Sequence, residues 1–539
     1  MKISGTLVDP NLRAIYGAEV TVVGGQIESI VRKDNVPDVL IMPGFIDSHV
    51  HIESSMSTPG AFAIEAVKHG TVAVVADPHE ISNVLGADGL RFMIDDAESV
   101  PLRFVFGVPS CVPATDFESS GAKLDSSIVK GLLMDDRTGF LAEVMNYPGV
   151  INGDAEIMKK IAAAREAGKP VDGHAPGLSG DELRRYVAAG ISTDHECSNL
   201  EEAREKLSHG MKILIREGSA AKNLEQLCFL ISDHQENVML CCDDIHPDDL
   251  VDGHINKIFK RLLDMGYSLF DLLTITSVNP AKHYNTGTGL LREGDNADFI
   301  IIDNLDDFNV LATWIGGREV YGGGEVRFSY SQPSPVNKFN CSPVPGRDIE
   351  SDIGGREIRL IEVYDGQLFT GSKIVKATMP SNTIHDIKND ILKIVLKERY
   401  NDYKPAIGFV KGFGLKNGAI ASSVAHDSHN IIAVGTDDES IIRAINKVVE
   451  MKGGLAWCGP DSTLALPLNI AGIISSAPVI ETAAKYRQLT MAVRDAGSSL
   501  HAPFMTLSFM ALLVIPELKI GDRGLFDVTR FCEVSLFPE

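Results

Sequence analysis

The chain has 539 residues, more than the roughly 250–300 that one hydrophobic core can organise, so we expect more than one domain. Hydrophobic residues make up 44% and charged residues 23%, proportions that exclude a disordered or collagen-like chain. With 50 Lys and Arg against 73 Asp and Glu, the net charge is −23. Because the basic residues are scattered and so acidic a chain repels phosphates, we expect no nucleic-acid partner.

The cysteines and the apolar segments indicate the cellular compartment of the protein. Eight cysteines among 539 residues are too few for a disulfide scaffold. The sequence has no CxxC pair, which argues against a structural zinc ribbon. No apolar segment of the signal-peptide kind follows the N-terminal residues. The longest apolar stretch near the C-terminus, residues 504–518, is too short and too interrupted to cross a bilayer. We therefore expect a cytoplasmic protein without membrane contact.

Both flanks of the first part of the chain show the same strand pattern. Residues 1–42 read as short strands separated by turns, and residues 285–330 return to that pattern, so the two segments could pair in one small β domain. The Pro-rich residues 331–345 predict a linker. Residues 335–539 carry helix and strand signals of their own and predict an additional C-terminal α+β domain.

Between the two flanks, short β-rich runs alternate with helix-like segments. Two predicted helices, over residues 155–167 and 181–189, end at Gly168 and Gly190, as helices commonly do. Eight such units predict an α/β fold, a (β/α)8 TIM-type barrel over residues 43–284. A doubly wound open sheet is the alternative, but the GxGxxG loop expected after its first strand is missing. The predicted barrel strands are residues 45–51, 71–77, 103–110, 139–146, 171–175, 191–196, 211–217 and 238–244.

A histidine pair stands at the end of the first predicted barrel strand. Alternate side chains of a strand face the same way, so His49 and His51 point to one side. Two neighbouring imidazoles in a barrel mouth make a natural pair of metal ligands. The alternative is two hydrogen-bonded histidines at a strand end, without a metal.

The same edge of the predicted barrel collects further polar side chains. They are Glu143 in the fourth strand, His174 and His195 closing the fifth and sixth, and Asp243 and Asp244 closing the eighth. Barrel enzymes place their active sites at the C-terminal ends of their strands. Independent surface or core roles would not place all of these side chains at one edge, so the sequence predicts a metal site.

With this set in view, the sequence resembles the amidohydrolase superfamily, and more closely its adenine deaminases. The resemblance rests on HxH in the first strand, a carboxylate in the fourth, His in the fifth and sixth and Asp in the eighth. Many superfamily members carry a carboxylated Lys in the fourth strand, where this chain has Glu143. The segments that carry the likeness are residues 42–56, 70–86, 172–183, 192–196, 241–250, 425–430 and 497–509.

The resemblance implies a metal-dependent enzyme that hydrolyses adenine to hypoxanthine and ammonia, a reaction of purine salvage. It implies two divalent ions, with Mn2+ preferred and Fe2+ or Zn2+ as alternatives, and attack by a hydroxide that bridges them. Asp243 would join the metal ligands and move the proton from the hydroxide to the leaving nitrogen. The implied ligands are His49, His51 and Glu143 for one ion, and Glu143, His174 and His195 for the other.

Two side chains near the second strand have two interpretations each. Asp77 could hydrogen-bond the metal cluster as a supporting catalytic group, or it could form an Asp-Pro turn with Pro78. Glu80 could protonate a ring nitrogen of the substrate, or it could be a helix N-terminal Glu favoured by the helix dipole.

Four more residues are candidates for substrate contact or catalysis. Arg216 and Glu217 end the seventh strand and could contact the purine edge or form a structural ion pair. Asp244 is the second choice for the catalytic carboxylate. His429 belongs to the polar cluster of residues 426–430, which could reach across the barrel mouth and orient the purine, or could be a surface loop.

Two other functions compete with adenine deamination. The first is hydrolysis of a cyclic amide, as in dihydroorotases and hydantoinases; Glu143 in place of Lys and the C-terminal region argue against it. The second is a metal-binding scaffold without catalysis, which the full ligand set with Asp243 argues against. The single-zinc deaminase pattern is also incomplete, because no PCxxC accompanies the HxE of residues 51–53. The expected partners are adenine and further copies of the chain in a homo-oligomer such as a dimer.

Overall fold

A computed structural model describes residues 1–351, 353, 355–376 and 386–538 of the chain. It opens with four short strands, β1 (Lys2–Asp9), β2 (Ala14–Val23), β3 (Gln26–Arg32) and β4 (Leu40–Pro43). Strand β1 pairs antiparallel with β2 and parallel with β4, and β2 pairs antiparallel with β3. Alternate residues of β2 are buried, namely Ala18, Val20 and Val22, as expected for a sheet with one covered face.

Eight parallel strands follow and close into a barrel. Each strand from β5 to β9 pairs with the next, as do β10, β11 and β12. The backbone N–H of Ser192 donates to Val171 O at 2.9 Å between β9 and β10, and a parallel bridge from Val50 to Asp243 joins the first strand to the end of the eighth. The strands are β5 (Phe45–Val50), β6 (Thr71–Ala76), β7 (Arg103–Val108), β8 (Thr138–Val144), β9 (Val171–Gly173), β10 (Thr193–Asp194), β11 (Lys212–Arg216) and β12 (Val238–Cys241).

Helices alternate with the barrel strands, and α6 begins and ends at residues that favour helix ends. In α6, the carboxylate of Asp154 accepts from the first backbone N–H groups, and Gly168 follows the helix with a φ of 68°. The helices are α1 (Pro59–Ala66), α2 (His79–Leu85), α3 (Ala87–Ala97), α4 (Ser126–Leu133), α5 (Tyr147–Asn152), α6 (Ala155–Glu166), α7 (Gly180–Ala188), α8 (Leu200–Ser208), α9 (Leu224–Leu227), α10 (Leu230–His234), α11 (Pro247–Asp252), α12 (Ile255–Asp264), α13 (Leu269–Leu273) and α14 (Asn279–His283).

Four strands after the barrel rejoin the first sheet. They are β13 (Phe299–Ile302), β14 (Val310–Ile315), β15 (Arg318–Gly322) and β16 (Glu325–Val326). Strand β13 pairs antiparallel with β4, giving the order β16-β15-β14-β13-β4-β1-β2-β3. One sheet is therefore built from both flanks of the barrel, which supports the expected division into residues 1–42 with 285–330 and residues 43–284.

The C-terminal part of the chain forms a second large sheet with helices. The sheet order is β18-β17-β20-β19-β22-β21-β23-β24, and β25, β26 and β27 form a separate small sheet. The strands are β17 (Glu357–Val363), β18 (Thr370–Lys376), β19 (Ile391–Lys397), β20 (Ala406–Lys411), β21 (Ala419–Ser422), β22 (Ile431–Gly435), β23 (Gly454–Cys458), β24 (Thr463–Pro467), β25 (Leu518–Gly521), β26 (Gly524–Asp527) and β27 (Cys532–Val534). The helices are α15 (Asp438–Met451), α16 (Val479–Asp495) and α17 (Pro503–Phe509).

The predicted architecture is confirmed: an α/β barrel, a β sheet from both of its flanks and an additional C-terminal unit of strands and helices. Of the expected C-terminal domain, residues 335–539, residues 352, 354, 377–385 and 539 lie outside those that the structure describes. In the part of the chain that is described, no helix has both the length and the apolar character needed to cross a membrane.

The C-terminal domain packs over the mouth of the barrel. The amide of Asn430 donates from Nδ2 to Ser119 O at 3.0 Å, and the hydroxyl of Ser119 donates to Asp522 Oδ2 at 2.7 Å. On another side, Nδ1 of His246 lies 3.1 Å from the hydroxyl of Tyr486 in α16. These contacts place the segment after β21 against the C-terminal ends of the barrel strands.

Candidate active site

The C-terminal ends of five barrel strands bring six predicted metal ligands into one buried cluster. These residues are His49, His51, Glu143, His174, His195 and Asp243, and all are buried. Because His49 and His51 alternate at the end of β5 and its loop, they face the same side, and their Nε2 atoms lie 3.2 Å apart. The parallel strands thus converge on one side of the barrel, as the sequence predicts.

Glu143 lies at the centre of this cluster. Its Oε1 is 3.6 Å from Nε2 of His51. Its Oε2 is 2.7 Å from Nδ1 of His174 and 3.2 Å from Nε2 of His195. The two oxygens therefore face two different groups of histidines, which is the arrangement that a carboxylate needs to bridge two ions.

The donor atoms fit a divalent metal centre. Ligands bound at about 2.0–2.1 Å from one ion lie about 3 Å from each other, close to the separations seen around Glu143. Histidine and carboxylate groups also lie together as His49, His51, Asp77 and Glu143, and as Glu143, His174 and His195. In addition, Nε2 of His174 and Nδ1 of His49 are buried without a hydrogen-bond partner.

The protonation states of His49 and Glu143 also suit metal binding. Burial, together with the neighbouring His195 and His51, lowers the pKa of His49 to about 3. Burial acts to raise the pKa of Glu143, but His174 and His195 outweigh it and hold that pKa well below its usual range. A neutral imidazole and an ionised carboxylate are the forms that bind a metal ion.

Asp243 links the histidine cluster to a buried ion pair. Its Oδ1 lies 3.0 Å from Nε2 of His51 and 3.7 Å from Nε2 of His49. Its Oδ2 lies 2.5 Å from Nη1 of Arg216, which is also 2.5 Å from Oε1 of Glu196. Burial favours the neutral acid, but Arg216 and then His51 hold the pKa of Asp243 well below its usual range.

The backbone of Asp243 is held as firmly as its side chain. Its φ is 57°, in the left-handed region that non-glycine residues occupy only where the surroundings impose it. Its N–H donates to His49 O at 2.9 Å, and its carbonyl accepts from His51 N at 3.1 Å. The neighbouring Asp244 instead accepts a hydrogen bond from the Ser54 hydroxyl.

Asp77 contacts the cluster through both its carboxylate and its backbone carbonyl. Its carboxylate accepts from the backbone N–H of Glu143 and from that of His79, both at 3.2 Å. Its carbonyl oxygen lies 3.0 Å from Nδ1 of His51. Asp77 therefore contacts three polar residues of the site, in addition to preceding Pro78.

Glu80 joins the barrel to the C-terminal domain. It is buried in the first turn of α2, with Oε1 2.5 Å from Nδ1 of His426 and its other oxygen paired with Nε2 of His429. Despite burial, His426 and His429 hold the pKa of Glu80 well below its usual range. His429 reaches the site only through Glu80, and so does not face the cavity as expected for a direct substrate contact.

The cavity beside the cluster has one polar and one apolar wall. The polar wall comes from the strand ends, with His426 and Asp427 of the C-terminal domain. The apolar wall, which we call the roof, consists of Leu368, Phe509, Leu512 and Ile515, all from the C-terminal domain. A flat heterocycle would thus meet polar groups at one edge and apolar groups elsewhere.

Glu217 lies outside this cluster, which corrects the expectation that it contacts the substrate. Its Oε1 is 2.7 Å from Nη1 of Arg261, and it borders a different cleft. Successive side chains at a strand end point in opposite directions, so Arg216 faces the site and Glu217 faces away. For Arg216 the ion-pair interpretation describes the contacts, and this ion pair lies in the cavity wall.

Sequence reasoning missed two residues that the structure places in the site, His79 and Glu196. Nδ1 of His79 lies 3.2 Å from Asp77 Oδ1 and 3.5 Å from Glu143 Oε1. Glu196 pairs with Arg216. His79 and Glu196 follow strand ends closely, so the rule that found His195 could have found both. Asp427 belongs to the polar cluster of residues 426–430, which the sequence already placed as a candidate at the barrel mouth, and it lines the cavity.

Two family models match the chain. The model of the amidohydrolase family matches residues 40–320, and that of the adenine deaminase C-terminal domain matches residues 367–532. The first therefore covers the barrel together with β13 to β15, and the second covers most of the C-terminal domain.

Curated relatives match along the full chain. The adenine deaminase of Methanosarcina mazei is 49% identical over 552 residues, covering 100% of this chain and 100% of its own. That of Salinibacter ruber is 49% identical over 542 residues, covering 100% of this chain and 99% of its own. Among solved structures, the β-aspartyl dipeptidase of Fervidobacterium islandicum has a TM-score of 0.46 and 17% identity, covering 60% of this chain and 97% of that one.

Proposed function

Since this chain belongs to the adenine deaminase family of amidohydrolases, its reaction is the hydrolytic deamination of adenine, and we propose that the cluster around Glu143 carries it out. Water adds at C6, the bond from C6 to the amino nitrogen breaks, and hypoxanthine and ammonia leave. The observation that supports this site best is that Glu143 turns one oxygen toward His51 and the other toward His174 and His195.

Two divalent ions suit the donor set, with manganese as first choice and iron or zinc as alternatives, because imidazole and carboxylate ligands accept all three. His49, His51 and Glu143 would hold one ion, and Glu143, His174 and His195 the other. Asp243, whose Oδ1 lies 3.0 Å from Nε2 of His51, would join the ligands of the first. When bound, the ions supply a water of lowered pKa as the nucleophile. Metal analysis of the purified chain tests the identity of the ions.

Asp243 accepts the proton of the attacking water and passes it to the leaving amino nitrogen, as a general base and then a general acid. Its carboxylate is fixed between Nε2 of His51 at 3.0 Å and Nη1 of Arg216 at 2.5 Å, so it needs no reorientation between the two transfers. Arg216 and Glu196 act through Asp243 and hold it in place.

Glu80 is ionised in the resting site and relays a proton from Nδ1 of His426 to a ring nitrogen of adenine as water adds at C6. Its Oε1 lies 2.5 Å from Nδ1 of His426, which supplies that proton, and His429 holds the other oxygen. Asp77 has no transfer role: it holds the backbone of Glu143 and His79. The roof covers the purine and limits the access of water.

The same chain is proposed to form a homodimer in the cytoplasm, where its reaction serves purine salvage. The support for self-association is a row of apolar side chains on the first sheet, Ile15, Val23 and Val31, which are 51%, 54% and 51% exposed. The support for a reducing compartment is that all eight cysteines are free. Light scattering on the eluting protein tests the dimer; a monomer at assay concentration contradicts it.

Cyclic-amide hydrolysis is not favoured, because the full-length relatives are adenine deaminases and a family model specific to them matches residues 367–532. The deciding experiment incubates the metal-loaded full chain with adenine and measures hypoxanthine and ammonia. Equal amounts of both are expected, with no turnover of dihydroorotate or a hydantoin. Turnover of either cyclic amide without ammonia from adenine would overturn the proposal.

A further inference from the structure

Lys519 is a buried lysine without a carboxylate partner in the described part of the chain. It lies in β25 and has no exposed surface. Its Nζ donates to two backbone oxygens, Leu368 O at 2.8 Å and Phe509 O at 3.0 Å. Burial lowers the pKa of Lys519 to about 7. Burying this ammonium group costs free energy, and the two hydrogen bonds to backbone oxygens offset that cost.

Both acceptors belong to residues of the roof. Leu368 lies in the loop between β17 and β18, and Phe509 ends α17, so the two come from distant parts of the C-terminal domain. Both side chains line the reaction cavity. The ring of Phe509 also stacks on that of His426, with centroids 5.1 Å apart and planes 25° apart. Lys519 therefore contacts the backbone of two residues whose side chains line the cavity.

We propose that Lys519 is a positioning residue for substrate binding: its ammonium group ties the loop at Leu368 to the end of α17 so that the roof fits the face of the purine. The inference rests on the proposed function, because it takes the cavity beside Glu143 as the adenine site. Lys519 touches neither the substrate nor the metal ligands. It acts through the backbone of Leu368 and Phe509.

Stability alone does not account for this lysine. An apolar side chain of similar length would fill the same space without burying a charge, and such replacements are often neutral or stabilising. A second buried lysine of the same domain, Lys393, shows the usual solution: besides Ile349 O at 2.6 Å, it pairs with the carboxylate of Asp438 at 2.6 Å. Lys519 has no such pair and bonds only to the two roof segments.

The backbone hydrogen bonds around Lys519 show how the segments of the roof are held together. The two segments are already joined on one side, where Thr370 N donates to Pro516 O and Glu517 N donates to Thr370 O, both at 3.0 Å. Lys519 adds the bond to Phe509 at the cavity end of α17. Without Lys519, the carbonyl of Leu368 loses its donor, while that of Phe509 keeps only the N–H of Leu512 at 3.2 Å. The loop at Leu368 then has no hydrogen bond through Lys519 to the end of α17.

The test compares Lys519→Met with the matched control Lys393→Met in the metal-loaded full chain. For Lys519→Met we expect the KM for adenine to rise about tenfold, the loss of roughly one such hydrogen-bonded contact, with kcat changed much less and metal content unchanged. For Lys393→Met we expect a lower unfolding temperature and an unchanged KM. An unchanged KM in Lys519→Met, or an equal rise in both variants, would overturn the inference.

A double-mutant cycle shows whether Lys519 acts through the roof. Leu368→Ala should raise KM by itself, and adding Lys519→Met should raise it by less than the product of the two single effects. Independent, multiplying effects would contradict the proposal. If Lys519→Met does not fold, Lys519→Gln keeps an N–H donor without the charge, and its KM should lie nearer that of the wild type. Wild-type protein that does not deaminate adenine would refute the proposed function instead.

Discussion

Oε1 of Glu80 lies 2.5 Å from Nδ1 of His426, although 346 residues separate them in the chain. One belongs to the barrel and the other to the C-terminal domain, and both line the reaction cavity. The two domains therefore complete the site together. In the proposed mechanism, this contact would give the C-terminal domain a chemical part in the reaction.

Replacing Glu80 with Gln should lower kcat for adenine by about 10²- to 10⁴-fold, because a general acid would be lost, while metal content stays unchanged. Steady-state kinetics and metal analysis on the same preparation measure both quantities. The matched control is Glu217→Gln, whose carboxylate pairs with Arg261 outside the site and whose replacement should leave kcat near that of the wild type. If Glu80→Gln behaves like its control, Glu80 has no role in proton transfer.

Asp243→Asn should lower turnover by about 10³-fold, since the amide cannot accept the proton of the attacking water. The histidines and Glu143 remain, so most of the metal should stay bound. Asp244→Asn provides the comparison, because Asp244 also lines the cavity but its carboxylate accepts from the Ser54 hydroxyl. A larger fall in Asp244→Asn than in Asp243→Asn would transfer the catalytic role to Asp244.

The free energy of unfolding should depend on pH because of Lys519. Burial lowers its pKa from 10.5 to about 7, so between about pH 7 and about pH 10 the folded state binds fewer protons than the unfolded state. The contribution of Lys519 to the free energy of unfolding therefore rises with pH between about pH 7 and about pH 10. Below about pH 7 the ammonium group is charged in both states, and its burial opposes folding in full. The described residues provide no ion pair with Lys519 that would offset this cost.

Thermal unfolding of the wild type and of Lys519→Met, followed from about pH 7 to about pH 9, measures this difference. The unfolding temperature of the wild type should rise relative to that of the variant as the pH increases. A difference between the two that stays constant over the window would show that Lys519 keeps an ordinary pKa.

The barrel and its cluster are predictable from sequence because strand ends obey a simple rule. His49, His174 and His195 stand where parallel strands must converge, and the alternation of side chains places His51 beside His49. The same alternation separates Arg216 from Glu217, which a prediction based on the strand end alone does not resolve. Only the exact end of β11 decides which of them faces the cavity.

The roof of the cavity could not be predicted from the sequence. Leu368 and Phe509 are apolar residues of ordinary segments, and no spacing links them to the histidines or to Lys519. Their proximity arises from the packing of the C-terminal domain over the barrel mouth, which depends on long-range contacts.

The most direct test of the account is one measurement on Glu143→Gln: metal content and adenine turnover determined on the same sample, beside the wild type and Glu217→Gln. Because Gln keeps the shape of Glu143 but removes the charge between the two histidine groups, we expect both metal content and turnover to fall together, with Glu217→Gln unchanged in both. Two metal equivalents with near-normal turnover in Glu143→Gln would contradict the central claim.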